Sequence, residues 1–391
     1  MTTPRHHPLV EILKKRIAII DGAMGTTIRT YGMTEADIRG ERFKDAKKDL
    51  LNNGDLFTLT QPKMICDIHR RFLEAGADII ETNTFGATTI SQSEFFVSDP
   101  REHGGRKDPE FYEKIIHDPF LKKLAWEINE TSARQCRECA DRVGKETGQP
   151  RFVAGSIGPL TVSLSNSSDA NDPGFRSVTF DQVKTAYAEQ VRALIAGGVD
   201  FLLVETIFDS LNAKAALVAI REVFDEDGHL NDEDLSLRTP GSVELPVMIS
   251  AAVGRGGETL ISAQTTEAFW NAVEHVQPLS VGLNCSLGPD LMYPFLSELS
   301  EKANVAISCY PNAGLPNPLS PTGFDFGPED MAKYLGEFAR AGLINIAGGC
   351  CGNTPEHIAA IAKAVEGVSP RKWGEAFHAE DLSDRGAEVG R

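Results

Sequence analysis

Nowhere in the 391 residues does a run approach the ~20 consecutive apolar residues that a membrane-spanning helix requires, which excludes that class of protein. The first dozen residues also lack the apolar centre of a secretory leader, so residence in the cytoplasm is expected. Cysteine is scarce, at seven, and an odd number cannot all pair within one chain. A disulfide framework is therefore excluded, and reduced thiols are expected, free to bind metal. Positive charge is in deficit. With 39 Lys+Arg against 56 Asp+Glu, the formal net charge of -17 opposes binding to nucleic acid or to an anionic membrane surface. No repeat of solenoid period is present either.

What is there is a globular composition. Hydrophobic residues make up 41% and charged residues 24%, enough apolar surface to bury a sizeable core. Short apolar runs alternate with longer segments of helical period, the pattern of parallel strands covered by helices. Eight such runs occur, at 17–20, 79–81, 152–155, 201–205, 247–250, 280–284, 305–308 and 344–347. Their continuity fits strands buried on both faces. Eight βα units predict an α/β protein of the (β/α)₈ TIM-barrel class, one domain over residues 1–371.

Several helices mark their own ends. Pro62 suits a first turn, Ile65, Ile68 and Phe72 share a face, and Gly76 suits the stop. Asp181 is expected to cap a helix burying Val183, Tyr187, Val191 and Leu194, and Thr354-Pro355 to open one burying Ile358, Ile361 and Val365. Two regions break the rhythm. Residues 98–120 are rich in charge, His, Gly and Pro and read as a surface insertion before a helix beginning near Leu124. Residues 372–391 nearly lack large apolar side chains and read as a flexible polar tail.

In a parallel barrel the reactive groups collect where strands end, because side chains there face a shared opening. The sixth run ends in Gly282-Leu283-Asn284-Cys285 and the eighth in Gly348-Gly349-Cys350-Cys351-Gly352, so three thiols meet on one rim. Zn²⁺ prefers thiolate sulfur, and a catalytic zinc keeps three protein ligands and one exchangeable position. A lone buried cysteine is usually an apolar filler, but three converging ones read as ligands. Neighbouring cysteines in a strand point apart, so turning both inward is assigned to backbone freedom at Gly348, Gly349 and Gly352. Cys136 and Cys139 form a C-x-x-C within a helical segment with no second pair, and read as helix residues; Cys66 and Cys309 read as packing.

The segment Asp21-Gly22-Ala23-Met24-Gly25-Thr26 has the form of a glycine turn whose amides receive an anion. The Gly-Lys-Ser/Thr ending of a phosphate loop is missing, so a carboxylate is the expected anion. Glu81 closes the second run and Glu205 the fourth. Acids at these positions suit an ammonium group, and with Asp21 they outline an amino-acid site.

Together these motifs, with Glu81-Thr82-Asn83-Thr84-Phe85, resemble the homocysteine S-methyltransferase family. Residues 171–180, 208–216, 264–269 and 311–317 look like the homocysteine-binding module of cobalamin-dependent methionine synthase, and the likeness runs over 12–371 apart from 98–120. It implies a zinc barrel with Cys285, Cys350 and Cys351 as metal ligands. Asp21 and Glu205 would receive the amino group of L-homocysteine, the Met24, Gly25 and Thr26 amides its carboxylate, and Glu81 and Asn284 would shape the pocket. The methyl group would come from methylcobalamin carried elsewhere. Folate- and cobalamin-binding modules do not fit after residue 371, so the expectation is an excised module or one chain of a split synthase.

Three other readings share parts of this pattern. S-methylmethionine or betaine would replace the donor and leave the barrel unchanged. A glycosidase would use Glu81 and Glu205 but leaves three thiols without a purpose. A docking module for a corrinoid protein would have a structural zinc, which normally takes four protein ligands.

Overall fold

The computed structural model describes residues 7–227 and 244–374. Strands β1 (Ala18–Ile19), β2 (Ile79–Glu81), β3 (Phe152–Ile157), β4 (Phe201–Ile207), β5 (Val247–Ala251), β6 (Ser280–Asn284), β7 (Ala306–Tyr310) and β8 (Ile346–Ala347) follow chain order round one sheet. Every pairing is parallel. The seam between β1 and β2 is drawn together by a parallel bridge, Ile20 to Ile79. Asp78 N donates to Ile19 O at 2.8 Å and Asp21 N to Ile79 O at 3.0 Å across it. Helices cover the outside, as the expected (β/α)₈ barrel requires.

Two apolar clusters follow from this geometry. The larger lies between sheet and helices and includes Phe72, Ile128, Val191, Leu299 and Ile361. The smaller fills the barrel, with Ile20, Ile79, Phe152, Phe201, Leu203, Met248, Tyr310 and Ile346. The helix Pro8–Lys15 inserts Leu9 and Leu13 into it, both 0% exposed, and plugs the lower mouth. At ~25 cal/mol per Å² of apolar surface, burying each such side chain stabilises by about 2 kcal/mol. Chemistry is left to the upper mouth.

Most boundaries agree with the hydrophobic pattern, and the exceptions have physical causes. β7 runs on through Cys309 and Tyr310, which pair with Leu283 and Asn284 of β6. The helix expected to be capped by Asp181 is capped earlier, by Thr179, whose hydroxyl and Gln182 form a reciprocal capping box over Phe180–Gly197. The helix expected near Leu124 begins at Pro119, where Asp118 accepts from Leu121 N at 2.9 Å.

Within residues 98–120, Arg101 to Arg106 are exposed, but a helix at Pro109–Ile116 buries Tyr112, Ile115 and Ile116 in the larger cluster. The segment is thus partly core. Of the region read as a tail, Trp373 packs against the barrel-filling cluster and Gly374 N donates to Asn304 O at 2.8 Å; residues 375–391 lie outside the described residues. Arg371 ties this end down. Only 2% exposed, it donates to Ser300 Oγ at 2.8 Å, Ser300 O at 2.6 Å and Val305 O at 2.9 Å, and also to Ala303 O. No helix among the described residues is long and apolar enough to cross a membrane.

Candidate active site

Cys285 follows β6 with φ of 57°, and Ser286 with 60°, a left-handed backbone that residues with a Cβ seldom adopt. Cys285 N bonds to Tyr310 O at 3.4 Å and Leu287 N to Cys285 O at 2.6 Å, which fixes this tight turn. Cys350 and Cys351 lie beyond β8, outside any strand, so alternation of side chains does not apply to them. Cys350 N donates to Pro311 O at 2.8 Å, and Gly352 N to Thr26 Oγ1 at 3.0 Å. Asn353 Nδ2 donates to Pro311 O at 3.0 Å and Cys350 O at 3.1 Å.

The glycines act differently from expectation. Only Gly352 of the three has a positive φ, of 84°. A Cβ on Gly348 would meet Ile20 O at 2.5 Å, and one on Gly349 would meet Asn353 Cγ at 2.1 Å. Those two are small so that the loop can lie against its neighbours, and freedom of rotation is not their contribution.

These contacts bring the three sulfurs within 4.8 Å of one another, with Cys285 Sγ and Cys351 Sγ 4.0 Å apart. No other group of three metal-binding side chains is this tight among the described residues, and none of the seven cysteines is in a disulfide. Hydrogen bonds from the Cys285 and Cys350 thiols pull Cys351 down to about 3, while those same contacts and burial hold Cys350 well above the usual thiol range. Thiolates this close repel one another, and a bound cation would offset that repulsion. Tetrahedral Zn²⁺ at ~2.3 Å from each sulfur would set them ~3.8 Å apart, close to the spacing present.

On the other side of the mouth lie three acids. Asp21 and Glu205 are buried and Glu81 is partly so. Asp21 Oδ2 accepts from Glu81 N at 3.1 Å, while its Oδ1, also buried, has no hydrogen-bond partner. Burial, then the charge of Glu205, pushes Asp21 well above the usual carboxylate range. Burial and the charges of Glu205 and Asp21 do the same to Glu81. Glu205 accepts from Ser156 Oγ, yet burial still pushes it up to about 7. Among the described residues no Lys or Arg offsets any of the three. A cluster of buried acids without a cation is an environment made for a positively charged ligand.

Asn284 links the two halves. Its Oδ1 accepts from Thr206 N at 3.1 Å and Ser250 Oγ at 2.7 Å, and its Nδ2 donates to Thr206 Oγ1 at 2.7 Å. Thr206 itself has φ of 54°, so Asn284 secures the turn directly after Glu205. Met24, Gly25 and Thr26 open the helix Met24–Thr30, where amides have no acceptor four residues back. Apart from its chain neighbours and its own helix backbone, nothing lies within 4 Å of a Cβ built on Gly25.

Four neighbours carry no signal in the sequence of comparable clarity: Ser156 on Glu205, Thr206 on Asn284, Asn353 beneath the cysteine pair, and Tyr310 under the mouth. Of the cysteines read as structural, Cys136 is fully buried with its sulfur 3.1 Å from His69 Nε2, Cys139 lies on the same helix, and Cys309 contacts Met292 Sδ at 3.7 Å. Cys66 is half-buried.

Comparison with known proteins gives the same direction. The Escherichia coli homocysteine methyltransferase MmuM in its metallated form superposes with a TM-score of 0.62 at 20% identity, over 91% of this chain and 99% of that one. Its oxidised form gives 0.61 at 19% over 92% and 99%, and its apo form 0.56 at 19% over 90% and 97%. At such identity the likeness speaks for the barrel. Residues 18–365 match the profile of the family described as homocysteine S-methyltransferase. A match over that span, on the barrel just described, makes this chain a member of the homocysteine S-methyltransferase family.

Proposed function

We propose that this chain moves a methyl group onto the thiol of L-homocysteine, giving L-methionine, with Zn²⁺ held by Cys285, Cys350 and Cys351. The observation that carries the reading is the meeting, at one barrel mouth, of a three-thiol cluster with three acids that lack a cation. When bound, Zn²⁺ supplies the Lewis acidity that favours thiolate over thiol at neutral pH, where a free thiol of pKa ~8.5 is mostly protonated.

The chain's own groups do the rest. Asp21, Glu81 and Glu205 take the substrate ammonium, whose charge stabilises their ionised forms. The unpartnered Asp21 Oδ1 is one acceptor for it. The amides at Met24, Gly25 and Thr26 take the α-carboxylate, with room left by Gly25. Asn284 keeps the Glu205 and Cys285 turns in register, so that both ends of a short amino acid meet their partners together.

The methyl donor in this proposal is methylcobalamin carried on a separate chain or module, as the likeness of residues 208–216 and 311–317 to methionine synthase suggests. Domain limits of 1–371 belong to the same proposal. Methyl transfer to homocysteine from free methylcobalamin, protein-bound methylcobalamin, S-methylmethionine and betaine discriminates the donors. Turnover with S-methylmethionine or betaine alone rejects the cobalamin assignment. Calorimetry in buffers of differing ionisation enthalpy tests the acceptor: homocysteine should release about one proton per site more near neutral pH than norvaline, which carries a methyl in place of the thiol and makes the same demand on the acids. Equal proton release by the two ligands rejects thiol activation.

A further inference from the structure

Asn353 is 0% exposed and follows the cysteine pair after one glycine. The pair sits in a turn that Asn353 closes with its own backbone, its N–H donating to Cys350 O at 3.1 Å. Its side chain then reaches across to the segment that leaves β7. Nδ2 has two hydrogens to give and three carbonyl oxygens within reach: Pro311 at 3.0 Å, Cys350 at 3.1 Å and Cys351 at 3.5 Å. The reversed amide would press Oδ1 against those same oxygens, so they set its orientation.

That orientation leaves Oδ1 buried with no hydrogen-bond partner, which is destabilising. Two glycines make the room: a Cβ on Gly349 would lie 2.1 Å from Asn353 Cγ, and one on Gly22 2.7 Å from Asn353 O. Yet none of the three carbonyls depends on the carboxamide. Pro311 O already accepts from Cys350 N at 2.8 Å, Cys350 O from Asn353 N, and Cys351 O from Ala313 N at 2.8 Å. A side chain that strands its own acceptor to give second bonds to carbonyls already paired is holding a shape, and such a group calls for an explanation. The shape is that of the thiol cluster. Tyr310 O accepts from Cys285 N at 3.4 Å and Pro311 O from Cys350 N, so two consecutive carbonyls carry the two thiol-bearing turns, and Asn353 fastens the second turn to the second of them.

We infer that Asn353 is the positioning residue of the metal site: its carboxamide locks the Cys350–Cys351 turn to Pro311, so that both thiols are set toward Cys285 before an ion arrives. The inference rests on the proposed zinc site and adds to it the residue that presets its geometry. Asn353 bonds to the backbone of the cysteines, so it acts through the ligands.

The test compares full-length wild type with Asn353→Ala and Asn353→Ser, reading zinc affinity by competition with a chromophoric chelator. Both variants should bind zinc about 10- to 100-fold more weakly, the usual effect of losing a group that orients a metal ligand. Metal-free variants should keep wild-type circular dichroism and a urea midpoint close to that of wild type, because every carbonyl retains its backbone donor and an unpaired oxygen is removed. Loaded with Co²⁺, they should show weaker thiolate-to-metal absorption than wild type, a signature that a merely structural residue would not move. Wild-type zinc affinity in either folded variant overturns the inference. So does a loss of zinc affinity matched by an equal loss of metal-free stability, which would make Asn353 an ordinary packing residue. Wild-type protein that takes up no zinc overturns the metal site itself, an outcome distinct from failure of the Asn353 assignment alone.

Discussion

The Glu205 carboxyl gives the account a quantitative handle. In the ligand-free protein it is pushed up to about 7 by burial, although Ser156 donates to it, and its ordinary value is 4.5. Between those values the folded protein holds a proton that the unfolded chain has released. The stabilising contribution is therefore present below pH 4.5 and is lost as pH rises toward 7. At ~1.4 kcal/mol for each pH step between the two values, the loss over that window is about 3 kcal/mol. Glu205→Gln removes the titration and keeps an acceptor for Ser156. In metal-free protein, chemical denaturation from pH 4.5 to 7.5 should show the variant gaining on wild type as pH rises, by up to about 3 kcal/mol at neutrality. The same variant should bind homocysteine 10- to 100-fold more weakly, roughly one charge-assisted hydrogen bond. Parallel stability curves would refute the argument, because they would mean the carboxyl is already compensated in the folded chain.

Three further outcomes follow from separate parts of the molecule. His69 is fully buried and held down to about 4 by desolvation, so stability should fall as pH drops from 6.5 to 4, by up to about 3 kcal/mol, and His69→Leu should flatten that acid limb in urea titrations. Arg371→Ala strands the carbonyls of Ser300, Ala303 and Val305 and should cost about 3 kcal/mol or more in denaturant midpoints; a loss below about 1 kcal/mol would contradict its role as a clamp. Cys350→Ala should abolish stoichiometric zinc and methyl transfer while circular dichroism stays that of wild type, and a variant that retains full zinc would break the ligand assignment.

How far the sequence could be read depended on the kind of physics at stake. Buried strands and the thiols at their ends are local features, visible as apolar runs and as rare residues beside glycines, and the (β/α)₈ class followed from them. The upper-rim acids were visible for the same reason: Glu81 and Glu205 each close an apolar run. Contacts between distant segments were not visible. Gly348 and Gly349 give way to Ile20 and Asn353, a reason that lies outside their own local pattern, and so their role was mistaken for backbone freedom. The reach of β7 to Tyr310 depends on its ladder with β6, which left the phenol outside the expected strand. Thr179 outcompetes Asp181 as a cap because Gln182 answers it, a pairing that composition near the helix start obscures. In residues 98–120, abundant charge masked the spacing of Tyr112, Ile115 and Ile116, which sets one apolar face on a short helix.

X-ray absorption at the zinc edge, on protein purified without chelators, addresses the central claim most directly. One zinc per chain with three sulfur neighbours is predicted, rising to four sulfurs when homocysteine is added. Absence of stoichiometric zinc, or a sulfur count that stays at three with homocysteine bound, would contradict it.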